Sequence, residues 1–154
     1  MLRALDYDRS VFGLRHVIIA AAAVTVMSVG SAIGDPTGRY VELSGEVLAG
    51  PRKLASLLSE HVVVGEPLPA PEAAASITRQ TRASLDRLRA LPLRDRALRT
   101  QRSRLVTAVA DVIPVMDAVS RALATHNRRA IARAGNRFLQ RVRALPSRVA
   151  PASP

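Results

Sequence analysis

Residues 95–125 read DRALRTQRSRLVTAVADVIPVMDAVSRALAT, and their periodicity decides the fold. Leu98, Leu105, Val109, Val112, Met116, Val119 and Leu123 recur in alternating steps of four and three after one first gap. One face of an α-helix produces that spacing, and a strand cannot. Arg102 occupies the gap in the stripe. Pro114 has no N–H and its ring clashes with the preceding turn, so the helix should kink or break about one turn earlier. A heptad stripe of this quality also allows a second copy to pair along the same helix, in competition with packing inside the chain.

Working outward, residues 72–91 place Ala74, Ile77, Thr81, Leu85 and Leu88 on one stripe, with Arg79, Arg82, Asp86 and Arg89 opposite, and Leu91-Pro92 ends the helix. Downstream, Asn127 is the expected N-cap of a helix over 128–145, whose stripe is Ile131, Ala134, Phe138, Val142 and Leu145. Pro146 should end it, leaving 146–154 as a disordered tail. Three amphipathic helices with short connections predict a small antiparallel three-helix bundle over 72–145. Upstream, Glu66-Pro67-Leu68-Pro69-Ala70-Pro71 is a stiff proline spacer over 66–71. It separates the bundle from a juxtamembrane helical stalk over 35–65. Gly50-Pro51 marks the start of a short helix there, with Leu54, Leu57, Leu58 and Val62 on one face, which could add a fourth wall.

The N-terminal third reads differently. Residues 17–33 are VIIAAAAVTVMSVGSAI, without a charge. With Gly34 they span about 27 Å as a helix, near the thickness of a hydrocarbon core. Asp35-Pro36 then ends the run. The expected class is therefore all-α: a cytoplasmic N-terminus (1–16), a single transmembrane signal anchor (17–34), then the bundle. Counts of basic residues on the two sides tie, and Arg15 and His16 beside the span place the bundle outside the cell membrane. The competing reading is a signal peptide cleaved near Gly30-Ser31-Ala32, giving a secreted module. With no Cys, a lipoprotein anchor is excluded.

The 154 residues carry a formal charge of +11, unevenly distributed. Residues 1–75 sum to −2 and residues 76–154 to +13, with no acid after Asp117. An excess of Arg over a single Lys, beside 26 Ala, fits a GC-rich coding bias, so Arg identity alone argues weakly for a ligand. Two Tyr, two Phe and no Trp leave few rings for stacking bases, which makes nucleic acid a secondary expectation.

Catalytic chemistry finds no footing in the pattern. His16, His61 and His126 are dispersed, Asp111 and Asp117 lie on opposite faces of one helix, and no nucleophile elbow or phosphate loop occurs. No catalytic residue, cofactor or metal is expected, and the chain reads as a non-enzyme. What remains is Arg129, Arg133, Arg137 and Arg141 at i+4 spacing. Like charges so spaced cost roughly 0.2–0.5 kcal/mol per pair. They suggest an anion-binding strip for lipid headgroups, an envelope polymer or an acidic protein; the bland alternative is a solvated face. The same helix, with Ile131, Phe138, Leu139 and Val142 opposite Arg, could instead lie flat on a bilayer. The expected function is a single-pass bacterial envelope protein presenting an interaction or scaffolding module. The alternative is a cytoplasm-facing module that meets nucleic acid or ribosomes.

Overall fold

The computed structural model describes residues 36–64 and 67–149. The expected anchor over 17–34 and the terminus before it lie outside the described residues. Among the described residues the chain is all-α, and no helix is long and apolar enough to cross a membrane. The elements are α1 (Pro36–Val64), α2 (Pro71–Ala90), α3 (Arg96–Ala110), α4 (Ile113–Ala124), α5 (Arg128–Arg143) and α6 (Leu145–Val149). α2 packs on α1 to one side and on α4 to the other; α5 closes the ring against α4 and α1, and α6 folds onto α3.

Helix α1 corrects one expectation. It does not start at Pro51 but at Pro36, and it runs through Gly50-Pro51 for 29 residues. Proline at the opening position costs nothing, because that N–H has no helical partner anyway. Pro51 does forfeit a bond to the Val47 carbonyl. The loss is tolerated because Tyr40, Leu43, Val47, Leu54 and Leu58 are buried on both sides of it, and Pro51 is itself buried. The apolar stripe therefore continues across the proline. Instead of standing apart as a stalk, α1 supplies the fourth wall.

The contact of α1 with α2 is close. A Cβ built on Gly50 would lie 1.9 Å from Thr81 Oγ1 and 3.2 Å from its Cβ. Thr81 is buried and its hydroxyl donates to the Ile77 carbonyl at 2.8 Å, so the β-branched side chain is held in place. Thr78 is likewise buried and donates to Ala74 at 2.9 Å. These small polar residues satisfy their hydroxyls on their own helix, which lets them be buried without a partner on another helix.

The stretch 95–125 is helical on either side of a break at Asp111-Val112. Pro114 falls in the first turn of α4, where its missing N–H is harmless, and the break precedes it as expected. Leu105, Val109, Val112, Met116, Val119 and Leu123 are all buried in the chain's own core. That stripe packs inside the chain, against α2 and α5. Phe138, fully buried, does the same for α5, so the apolar face of that helix meets the core and not a bilayer. The Asn127 side chain accepts from Ala130 N at 3.1 Å as the expected N-cap. Residue 146 does not begin a structureless tail: Leu145–Val149 makes a further helical turn, and Arg148 holds it to Asp111 at 2.8 Å.

Gly50→Ala should destabilise the fold by about 1–3 kcal/mol through overpacking against Thr81. In the double variant with Thr81→Ala, part of that loss should return. Thermal unfolding of the four members of the cycle measures the coupling, and strict additivity would show that the two residues do not limit the approach.

Candidate anion-binding surface

Seventeen arginines and four acids occupy residues 76–154, and the fold uses every one of the four acids internally. Asp95 caps α3, accepting from Leu98 N at 2.8 Å. Asp86 pairs with Arg89 one turn on, at 2.9 Å. Asp117 receives Arg82 from α2 at 3.0 Å, and Asp111 receives Arg148 from α6 at 2.8 Å. Asp111 and Asp117 thus fasten different helices and never meet. A fifth carboxylate, Glu46 of α1, accepts from Arg87 at 2.7 Å and from Ser84 at 3.1 Å. These pairs sit at the surface and each contributes modestly to stability. Their larger consequence is that none of the four acids of residues 76–154 is left over for the remaining arginines.

Arg102, the gap in the heptad stripe, has a structural duty. Its guanidinium donates to the carbonyls of Leu91 and Arg89, at the C-terminus of α2. Carbonyls in a last turn lack helical partners and carry the negative end of the helix dipole, so a cation there is favourable on both counts. The same guanidinium lies near Tyr40. Burial pushes the Tyr40 phenol up from its ordinary value, while the neighbouring Ser44 hydroxyl and the positive charge of Arg102 act against burial. The first turns of α1, the end of α2 and the beginning of α3 therefore share one end of the bundle. Nothing in the arginine spacing alone distinguishes this residue from its exposed neighbours Arg94, Arg96 and Arg99; the apolar rhythm it interrupts was the signal.

The expected row is exposed along its whole length. Arg129, Arg133, Arg137 and Arg141 are all solvent-facing, as are Arg128 and Arg143 on the same helix, and none of the six has an ion pair among the described residues. Successive members rise about 6 Å and turn about 40° further round the axis, so the row winds across the outer face of α5. Arg128 and Arg129 stand in the first turn, where the helix dipole disfavours cations. The face thus carries like-charge repulsion and an unfavourable end charge without internal compensation. Such a surface attracts anions at range and can bind them bidentately.

His126 occupies the turn between α4 and α5 with a φ of 53° and takes no part in a cluster. Among the described residues, no group of three His, Asp or Glu side chains could hold a metal ion. The best-defined depression is an open groove of about 340 Å³ between α3 and α6, lined by Ser103, Arg104, Thr107, Ala108, Asp111 and Arg148. Asp111 and Arg148 bridge its walls at 2.8 Å. Comparison with family models, with curated proteins and with solved structures finds no match for this chain.

Replacing Arg102 by Met should lower stability by about 1 kcal/mol, since the α2 carbonyls lose their donor and keep partial access to water. Arg99→Met, on the same helix but without a partner, should fall within about 0.5 kcal/mol of the parent. Equal losses in paired chemical-denaturation curves would refute the capping role of Arg102.

Proposed function

We propose that this chain is a non-enzymatic module of the bacterial envelope, tethered to the membrane by residues 17–34, whose helical bundle engages an anionic surface or polymer through the outer face of α5. The N-terminus lies in the cytoplasm and the bundle outside. The observation that carries the reading is the disposition of charge: the acids of the C-terminal half are engaged in caps and inter-helix pairs, and six exposed arginines of α5 are left with none. Compositional bias accounts for the number of arginines. It does not account for a 16-residue helix that has six of them facing solvent and no acid anywhere in it.

The apolar face of α5 belongs to the core, so the interaction is electrostatic and should weaken steeply with salt. Long-chain inorganic polyphosphate is a suitable probe. If the four arginines of the row each neutralise one charge of a flexible polyanion, log affinity should fall against log salt with a slope of about −3. Replacing Arg129, Arg133, Arg137 and Arg141 together by Gln should abolish most of that slope. Binding that is insensitive to those substitutions would refute the assignment. A marked preference for single-stranded DNA over polyphosphate would favour a cytoplasm-facing module instead.

A single reversal separates an interaction face from a merely solvated one. Arg133→Glu converts two repulsive i, i+4 pairs, with Arg129 and Arg137, into attractive ones, and should stabilise the fold by about 1 kcal/mol. It should also weaken polyphosphate binding at low salt. A rise in melting temperature with unchanged binding would mark the row as solvated surface.

A further inference from the structure

A second group of unpaired arginines lies at the other end of the molecule from the start of the α5 row. Arg94, Arg96 and Arg99 surround the beginning of α3, all three exposed and none in an ion pair among the described residues. Two sets of contacts fix the level at which they stand. Glu46 of α1 faces Ser84 and Arg87 of α2, and Gly50 faces Thr81, so α1 and α2 are antiparallel. Arg102 reaches the carbonyls of Arg89 and Leu91 while Arg82 reaches Asp117, so α2 and the α3–α4 column are antiparallel as well. α3 consequently runs in the same direction as α1, with Arg102 level with Tyr40, its electrostatic neighbour. Six residues before Arg102, at about 1.5 Å each, bring Arg96 level with the start of α1.

That level is where the apolar run of the sequence ends. Gly34 closes the run and Pro36 opens α1, so one residue, Asp35, joins them. Two peptide steps span at most about 7 Å. The headgroup layer on one side of a bilayer is about as thick, roughly 5–7 Å. A chain that inserts residues 17–34 therefore brings the first turns of α1 and α3 within reach of the headgroups, and the charge at that end decides whether they seat there.

We propose that Arg94, Arg96 and Arg99 form a basic foot on which the bundle stands, seated on anionic phospholipid headgroups of the bilayer that holds its anchor. Two acids at this end do not cancel it: Asp95 is turned to the Leu98 amide, and Glu42 is paired with Arg39 at 2.6 Å. The inference rests on the anchor reading, and it holds for either leaflet. It also gives the two basic surfaces different partners. The foot meets lipid, while the α5 row begins beside the α4–α5 turn at the far end.

The test uses the full chain reconstituted into vesicles, with a single fluorophore on Ala97→Cys at the foot or on Ala124→Cys at the far end. Both positions are exposed, and the native chain has no Cys to compete for label. With a headgroup-attached nitroxide in vesicles containing phosphatidylglycerol, the label at 97 should be quenched and the label at 124 should not. Each arginine removed should lower the ratio of seated to unseated protein roughly fivefold. The triple variant Arg94→Gln, Arg96→Gln, Arg99→Gln, or transfer to phosphatidylcholine alone, should therefore abolish quenching at 97 while the thermal melt is unchanged. Equal quenching at the two sites, or quenching at 97 that ignores the triple variant, would overturn the foot. An alkaline wash separates the two readings. Protein retained by the vesicles but unquenched at 97 loses the foot and keeps its anchor; protein released by the wash loses both.

Discussion

Thr81 stands against Gly50 with no room for a methyl group between them, and the rest of the molecule depends on that approach. It sets the distance between α1 and α2, and α2 is the helix on which α1, α3 and α4 all pack. At that spacing Glu46 reaches both Ser84 and Arg87, and Val47 and Leu54 are sealed on either side of the contact. The chain has few aromatic residues and many alanines, so it cannot fill wide gaps between helices. It packs small residues closely instead, with Ala74, Thr78, Thr81 and Ser84 forming much of the buried face of α2. Close approach substitutes for bulk.

A second constraint is the scarcity of acid. Every inter-helix ion pair draws on one of a very small number of carboxylates, and the pairs join α1 to α2, α2 to α4 and α6 to the end of α3. Asp111 is the clearest case, because α6 is a short turn held onto α3 by Leu145 and by Arg148. Once these ties are made, surplus arginine has no internal partner, whatever evolutionary pressure put it there. The surplus is divided. Arg102 goes to backbone carbonyls, the foot gathers at the beginning of α3, and the longest array lies along α5.

Much of this organisation was legible in the sequence, and the failures have particular causes. The α2 boundaries, the Asn127 cap and the break ahead of Pro114 follow from rules that act within a few residues. The same local rules misread Pro51. Gly-Pro is a common helix start, and the stripe Tyr40, Leu43, Val47, Leu54 and Leu58 that runs through it loses a member at Gly50, the position where α2 comes closest. The residue that breaks the pattern is the one the packing requires. Pro146 misled in the same way, since it sits in the first turn of α6 and does not terminate order. The α5 row was legible as a row, and its lack of partners followed from the absence of local acid. The foot was not legible. Its three arginines look like their neighbours until the direction of α3 relative to α1 is known, and that direction depends on α2 lying between them.

The geometry of the two basic surfaces argues that they serve different contacts. The row on α5 extends about 18 Å along the helix axis from Arg129, at the end opposite the foot, to Arg141, and so does not lie in the plane of the bundle's end. A flat lipid surface that touches the end of the bundle meets the foot and cannot lie along the row as well. A flat surface that lies along the row would require the bundle to lie on its side. An extended polymer has no such restriction, since it can follow a row that winds about 40° at each step. Electrostatics alone would let either surface bind either anion; the direction of α5 relative to the end of the bundle is what favours a separate contact for each.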